Sequence, residues 1–263
     1  MFTDRVFESW MPAARVPDEE AAPASRLRVV IDDTLPANRA LMILTPDRGE
    51  GLLTVTSAIA STVGLVSDER LDPESVQTRL ATAGIALNGA DHLFYLPAHE
   101  QERVATEQSE QAVQSEQAEL SELSERPDRR AHSGRNTRQL GAEDAAAFAA
   151  FVAAAPEDDL DEAFVELDHW LVFGTFVEGA IVTVSSMYPW QSSALADLGV
   201  ITLPEFRGQG HARTTVRAIS ARAIALGYEP QYRCQLDNAG SVALAHSAGF
   251  ERFATWDVID PGD

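Results

Sequence analysis

The sequence predicts an α/β protein with a mixed sheet, in which a smaller N-terminal α/β domain precedes a larger α/β domain. Three observations support this prediction. In residues 1–98, short apolar runs bounded by Pro, Gly and Asp alternate with helical patterns. A second alternation of strand and helix patterns fills residues 136–263. Between them, residues 99–135 are rich in Glu, Gln and Ser, which predicts a flexible linker because such a segment buries too little surface to offset its ordering entropy.

The elements of the first domain follow from its apolar runs and turn residues. We predict strands at residues 27–31, 40–44, 52–56 and 92–97, and helices at 57–65 and 73–83. Gly84 suits the end of the second helix. No catalytic motif occurs in this domain, and we assign it no chemical role. Within the linker, the pattern allows a transient helix over residues 104–123.

The second domain shows a longer series of elements. Phe148, Phe151 and Val152 stand at helical spacing on its first helix, and Leu160, Phe164 and Leu167 form an apolar stripe on a short second helix. Glu178 and Gly179 separate two apolar runs and predict a hairpin. We predict strands at residues 137–140, 170–177, 180–187, 194–203, 231–236 and 251–259, and helices at 142–154, 212–226 and 241–248.

Composition narrows the classes of function. The formal net charge of −21 argues against nucleic acid or an anionic membrane as a partner. It would favour a cationic substrate such as an amine, although general solubility is the more ordinary explanation of such a charge. No apolar run is long enough for a transmembrane helix, and no signal peptide is evident at the N-terminus. The one cysteine, Cys234, excludes an internal disulfide and predicts a cytoplasmic location, and no Cys/His spacing predicts a metal site.

The most informative segment is a turn with two glycines between a predicted strand and a predicted helix. It reads Arg207-Gly208-Gln209-Gly210-His211-Ala212, and we call it the glycine turn. Gly208 and Gly210 allow the backbone to approach a ligand closely because they have no Cβ. The first N–H groups of the following helix have no internal partners and carry partial positive charge. The glycine turn therefore predicts phosphate binding. The arginines around it, which would offset the acidity of the chain, are Arg207, Arg213, Arg217, Arg222 and Arg233.

A second motif follows after one helix and one strand. Asn238, Ser241, Leu244 and Gly249-Phe250 match Asn-x-x-Ser/Ala-x-x-Leu-Tyr-x-x-x-Gly-Phe, and the glycine turn matches Gln/Arg-x-x-Gly-x-Gly/Ala. These are the two signatures of the GNAT superfamily of acyl-CoA-dependent N-acetyltransferases, which the chain resembles over residues 136–259. Residues 227–230 and the Leu-Ala variant of the second motif look most like a bacterial subfamily that includes antibiotic self-resistance acetyltransferases.

The resemblance implies a GNAT fold for residues 136–263 and acetyl-CoA as cosubstrate. It also implies that the glycine turn binds the pyrophosphate and that the preceding strand pairs with the pantetheine arm, which Asn238 flanks. The implied cofactor-binding residues are Ile201, Thr202, Arg207, Gly208, Gln209, Gly210, His211, Ala212 and Asn238. Many relatives have one more strand after Gly-Phe, for which we find no residues; either the sheet edge is shorter here or the first domain covers it. The order of its elements also raises the hypothesis that the first domain is a degenerate copy of the same fold.

The catalytic residues are harder to assign. The position at which the family has its proton-donating tyrosine is Ala245 here, so we consider the neighbouring His246 as the acid, with a packing role as the alternative. Asp197, on the strand before the glycine turn, is the candidate base. The helix and loop that form the acceptor wall in relatives contain Glu162, Glu166, Asp168 and His169 here, with a solvated helix end as the alternative.

Two functions remain open on the sequence alone. One is an N-acetyltransferase in which an amine attacks acetyl-CoA directly, without a metal. The other is a non-catalytic module that keeps the fold and binds CoA or a protein partner. Ala245 favours the second function, whereas the intact glycine turn favours the first. Nucleotide binding is a poor alternative because the chain has neither a Walker lysine nor Gly-x-Gly-x-x-Gly. We expect a small-molecule amine as partner and leave homodimer formation open.

Overall fold

The computed structural model of the protein describes residues 1–11, 25–107, 136–190 and 193–260. The strands are β1 (Leu27–Ile31), β2 (Leu41–Pro46), β3 (Gly51–Val55), β4 (Arg70–Leu71), β5 (Asp91–Tyr95), β6 (Asn136–Gln139), β7 (Leu171–Val177), β8 (Ala180–Pro189), β9 (Leu195–Thr202), β10 (Glu229–Gln235) and β11 (Glu251–Val258). The helices are α1 (Asp4–Trp10), α2 (Ser57–Val63), α3 (Pro73–Thr82), α4 (98–107), α5 (Ala145–Ala154), α6 (Glu157–Ala163), α7 (His211–Ala225) and α8 (Ala239–Ser247).

All of these strands belong to one sheet of 11 strands, in the order β4-β1-β3-β2-β11-β5-β10-β9-β8-β7-β6. The pairs β1–β3 and β9–β10 are parallel, and the other neighbouring pairs are antiparallel. This confirms the predicted mixed α/β class. The division into domains at residues 98 and 136 stays a prediction, and so does the origin of the first domain as a copy.

Local sequence explains several element boundaries. Asp72 caps α3 by accepting a hydrogen bond from the Ser75 amide at 2.8 Å, and Pro73 occupies the first helical position, where no N–H is needed. Glu178 and Gly179 both have positive φ, 51° and 85°, as a two-residue hairpin loop between right-handed twisted strands requires. The hairpin and helix signals in the sequence therefore arise from local backbone geometry.

The position of β5 is the main feature that the sequence did not predict. This strand comes from the N-terminal part of the chain, yet it lies between β10 and β11 and is antiparallel to both. The Tyr95 hydroxyl hydrogen-bonds to Gln231 of β10, and the Trp10 indole donates to the same hydroxyl at 2.6 Å. Strand β2, also from the N-terminal part of the chain, pairs with the other edge of β11, so this part of the chain continues the sheet on both sides of β11.

Helix α4 begins the segment that the sequence assigned to a flexible linker. Arg217 of α7 holds it: its Nε donates to Glu107 at 2.8 Å, and its Nη1 lies 3.6 Å from Glu100. Nη1 also donates to the Ala248 carbonyl at 2.7 Å, so Arg217 is buried and faces away from the glycine turn. The remainder of the linker, with most of its predicted helix, lies outside the described residues.

Helices pack on both faces of the sheet. A core that includes Tyr232, Val216 and Ala245 fills the space under α7 and α8, and a core around Phe151 and Val184 lies under α5 and α6. Neighbouring residues of one strand therefore face different environments. On β10, Tyr232 and Cys234 face α7 and α8, whereas Gln231 and Arg233 face the opposite side.

The predicted apolar stripe on the second short helix is only partly present. Helix α6 ends at Ala163, and Phe164 follows in a left-handed conformation with φ 46°. The Phe164 side chain is 54% exposed, whereas Leu160 and Leu167 pack against the core under α5 and α6. The pattern did not predict α1 or the two-residue strand β4.

Candidate functional site

The candidate site is a cleft between the ends of the two parallel strands β9 and β10. These strands pair from Leu195–Glu229 to Leu198–Tyr232, and their remaining residues are not paired with each other. A cleft of about 850 Å³ opens there, lined by 199–202 of β9 and 233–235 of β10 together with α6, α8 and the glycine turn. The backbone edge of β9 beyond Leu198 therefore faces the cleft instead of a neighbouring strand.

The glycine turn forms one end of this cleft. Gly208 and Gly210 have φ values of 72° and 82°, a region that other residues rarely adopt. A Cβ at either position would meet no described atom within 4 Å, so the backbone here borders open space. Gly210 is the N-cap of α7 and offers no side-chain cap, and the first-turn amides of this 15-residue helix lie beside the cleft. An anion fits this arrangement because these amides and the helix dipole favour negative charge.

The structure brings most of the predicted cofactor-binding residues together. Gln209 is not among the residues that line the cleft; its side-chain amide donates to the Glu205 carbonyl at 3.0 Å. The cofactor roles of all these residues stay predictions. Those that line the cleft are Ile201, Thr202, Arg207, Gly208, Gly210, His211, Ala212 and Asn238.

The arginines near the glycine turn differ in their surroundings. Arg207 donates to the Thr202 carbonyl at 3.1 Å and forms an ion pair with Asp159 of α6. Arg217 is engaged with α4, and Arg233 with carboxylates described below. Arg213 lines the cleft and is exposed, and within the described part of the chain no carboxylate forms an ion pair with it. Arg213 is therefore the cation best placed to meet an anionic ligand.

Helix α6 reaches across the cleft to two predicted cofactor contacts. Its Asp159 pairs with Arg207, and its Glu162 lies 3.5 Å from the side-chain nitrogen of Asn238. Asn238 is also the N-cap of α8, since its side-chain oxygen accepts from the Ser241 amide at 2.9 Å. The two alternative roles of Asn238, cap and ligand contact, are thus compatible.

Asp197 lies at the inner end of the cleft with 4% of its surface exposed. It accepts hydrogen bonds from Gln231 at 3.0 Å, from Arg233 at 2.8 Å and from the Tyr188 hydroxyl at 3.2 Å. Three side chains on other parts of the sheet thus engage this carboxylate. The assignment of Asp197 as the catalytic base stays a prediction.

The first part of the chain also contributes to this charged group. Asp91 of β5 accepts from Arg233 at 2.9 Å and lines the cleft. Burial raises the pKa of Asp91, while the charge of Arg233 opposes the shift. Burial alone would lower the pKa of Arg233, but the charge and hydrogen bonds of Asp197, followed by the charge of Asp91, raise it overall. Arg233 therefore stays charged between two carboxylates.

His246 is not among the residues that line the cleft. Its ring contacts Phe94 edge-on, with ring centroids 5.4 Å apart. Ala245 is fully buried in the core under α7 and α8. The role of His246 as an acid remains a prediction, and its packing role agrees with the contact to Phe94.

Sequence reasoning did not single out several residues of the cleft. Tyr188 and Tyr232 present phenols there, and Phe164 presents an exposed ring. Burial raises the pKa of Tyr188 to about 12, with the Asp197 charge adding to the shift. Burial likewise raises the pKa of Tyr232, so both phenols are protonated near neutral pH. The alternation of side chains along β8 is the one sequence signal that could have indicated on which face of the sheet Tyr188 lies. It could not have indicated the partners of Tyr188, because they come from other elements.

Two further findings concern metal ions and membranes. No group of three or more His, Cys, Asp or Glu among the described residues is arranged to hold a metal ion. None of the helices in the described ranges has the length and apolar character of a membrane span.

A mixed sheet with a cleft between two parallel strands, closed at one end by a glycine turn before a helix, defines a class of ligand-binding α/β proteins. The family model described as acetyltransferase (GNAT) family matches residues 106–250, more than half of the chain. The chain therefore belongs to the GNAT acetyltransferase family, whose general chemistry is acyl transfer from acetyl-CoA.

Solved structures give weaker likenesses. A candidate GNAT-family acetyltransferase from Novosphingobium aromaticivorans shares 18% identity over 68% of this chain and 69% of that chain, with a TM-score of 0.43. A GNAT-family acetyltransferase from Colwellia psychrerythraea shares 15% over 66% of this chain and 57% of that chain, with a TM-score of 0.41. The ribosomal-protein-S18-alanine N-acetyltransferase of Escherichia coli shares 16% identity over 48% of this chain and 94% of that chain, with a TM-score of 0.37. No curated protein matches the chain significantly. Membership of the family rests on the family model.

Proposed function

We propose that the protein is an N-acetyltransferase that transfers an acetyl group from acetyl-CoA to a primary amine of a small molecule or peptide by direct attack. The observation that carries the proposal is that one cleft joins the unpaired edge of β9 to the glycine turn. The likeness of residues 227–230 to bacterial self-resistance enzymes favours a small molecule. We place the protein in the cytoplasm, because its single cysteine is free and buried.

The residues present fit the proposed cosubstrate. The amides of the glycine turn and the first turn of α7 would hold the pyrophosphate, with Arg213 as counter-charge. The backbone of Ile201 and Thr202, which β10 does not pair with, would hold the pantetheine arm. Bound acetyl-CoA supplies the thioester carbonyl that a neutral amine attacks and the thiolate that leaves.

The charged and phenolic side chains of the cleft meet the other requirements of acetyl transfer, which are attraction of the amine and transfer of protons. An N–C bond forms as the C–S bond breaks; one proton passes from the amine nitrogen to a base, for which Asp197 is the candidate, and one reaches the sulfur. Glu162 is exposed and forms no ion pair within the described part of the chain, so it provides negative potential that attracts an ammonium group to the cleft. The charges of Asp91 and Asp197 are offset by Arg233. Tyr232 lies beside Ser241 of α8, and both line the cleft. We assign its protonated hydroxyl to donate a hydrogen bond to the leaving sulfur, the role for which Ala245 has no group.

The second candidate function is a non-catalytic module that binds CoA or a protein partner. The observations in its favour are the buried Ala245 and the engagement of Asp197 by Arg233. Both functions predict binding of CoA at the cleft if the module retains the ligand, so binding alone does not separate them. Release of thiol in the presence of amines distinguishes the two functions, because only the enzyme breaks the thioester.

The first experiment is calorimetric titration of the protein with acetyl-CoA, followed by an amine screen with thiol-release detection. We expect binding in the micromolar range, about −8 kcal/mol. Gly210→Glu should abolish it, because the side chain would place bulk and negative charge at the pyrophosphate position and because φ 82° disfavours any side chain. Gly240→Ala is the matched control in the same cleft, since its nearest contact would be 3.7 Å away. Unchanged affinity of folded Gly210→Glu would refute the site, and binding without turnover of any amine would favour the module.

A further inference from the structure

Phe164 combines an unfavourable backbone with an exposed ring. A left-handed residue directly after a helix is usually Gly or Asn, because a larger side chain costs conformational free energy there. Phe164 has φ 46° and 54% of its surface exposed. Because the ring is so exposed, its burial does not offset the conformational free energy of the left-handed backbone. Strain of this kind is often found at ligand sites.

Two other rings hold Phe164 in place. Its centroid lies 5.0 Å from that of His169 and 5.9 Å from that of Tyr188, and the latter two are 5.2 Å apart. Each supporting ring is anchored: the His169 Nδ1 is 2.8 Å from the Ser186 hydroxyl, and the Tyr188 hydroxyl donates to Asp197 at 3.2 Å. The three side chains thus form a fixed aromatic wall.

This wall borders the cleft on the side of the carboxylates. Phe164 and Tyr188 line the cleft, as do Asp197 and Glu162. The contacts described for Phe164 and Tyr188 involve His169 and Asp197, which are not part of the glycine turn. Asp197 is paired with Arg233, whereas Glu162 is exposed and forms no ion pair within the described residues. An aromatic face beside the Glu162 carboxylate suits a ligand that has a ring and a positive charge.

We propose that Phe164 and Tyr188 form an aromatic subsite and that the acceptor is a primary amine bearing an aromatic ring. This inference rests on the proposed function, because it assigns the acceptor of the same cleft. The ring of the acceptor packs on Phe164, and its amino group points towards the inner end of the cleft. Tyr188, held by Asp197, forms the second side of the subsite.

The test is calorimetric binding of 2-phenylethylamine and butylamine to the full chain saturated with CoA, so that no acetyl transfer takes place. We expect 2-phenylethylamine to bind about two- to tenfold more tightly, as an aromatic contact of this kind provides. Phe164→Gly removes the ring and suits the backbone, and it should abolish the preference without loss of folding. Phe164→Tyr should keep the preference, and Val66→Ala, which truncates an exposed apolar side chain outside the cleft, should not change it.

Equal affinity of the two amines in the wild-type chain would overturn the inference, and so would a preference that survives in Phe164→Gly. If CoA does not bind, the proposed function fails, and the same two amines are compared on the free protein, where the same outcomes decide the inference. If both amines bind as expected and neither is acetylated, the enzyme assignment fails while the aromatic subsite stands.

Discussion

Gly199 is the position in the cleft at which a single added methyl group should lower the stability of the fold most. A Cβ added there would lie 1.8 Å from the carbonyl oxygen of Ala163 and 2.9 Å from its carbonyl carbon. Because Cβ contacts essentially never fall below 3.0 Å, the end of α6 would have to move away from β9 by about 1.2 Å. Phe164 directly follows Ala163, so the movement would also displace the aromatic wall.

We therefore expect Gly199→Ala to lower the free energy of unfolding by about 1–3 kcal/mol, the usual cost of overpacking. The melting temperature should fall by roughly 2–4 °C for each kcal/mol. In a strand without the clash, the same change would stabilise by about 0.5–1 kcal/mol, so the sign of the effect tests the contact. Because the added methyl group does not touch the glycine turn, acetyl-CoA should still bind, though more weakly since α6 contacts Arg207 and Asn238, while kcat/KM falls by about 10²-fold.

The measurements are thermal unfolding, calorimetry with acetyl-CoA and the thiol-release assay. Gly240→Ala serves as control, since it makes the same change in α8 with only an ordinary contact at 3.7 Å. A Gly199→Ala protein with unchanged or higher melting temperature and full activity would show that α6 does not lie against β9 as described.

Two further predictions concern charge and ionisation in the cleft. Asp159→Asn frees Arg207 and removes a carboxylate from the end of the cleft that the glycine turn forms. Acetyl-CoA should therefore bind about two- to fivefold more tightly. The gain in affinity should be smaller at high salt, because the pair is partly exposed. The exposed neighbour Asp158→Asn should have no such effect, and an equal gain from both changes would count against the specific pair. Burial raises the pKa of the Cys234 thiol to about 11, so it is protonated below that pH and becomes reactive only as the pH rises towards it. Iodoacetamide at pH 8 should label native Cys234 roughly 10²-fold more slowly than the unfolded chain; fast labelling of the native protein would contradict this burial.

The sequence by itself determined the elements whose cause is local. Apolar periodicity and turn residues indicated most of the strands and helices, because side-chain period and backbone preference are properties of a few consecutive residues. The glycine turn was recognisable for the same reason: positive φ at Gly208 and Gly210 and the first turn of α7 are encoded within six residues. The family resemblance also came from these short motifs.

Only the tertiary structure decided which distant residues meet. The placement of β5 between β10 and β11 brings Asp91 to Arg233, a pair separated by 142 positions in the chain. The Asp197 network and the support of Phe164 by Tyr188 likewise join different elements. Such contacts depend on strand order, to which the pattern of each strand contributes almost nothing, since any strand of the right period can pair with several neighbours. The end of the cleft that the glycine turn forms can therefore be predicted from the sequence, whereas the end that contains Asp197 and the aromatic wall exists only in the folded chain.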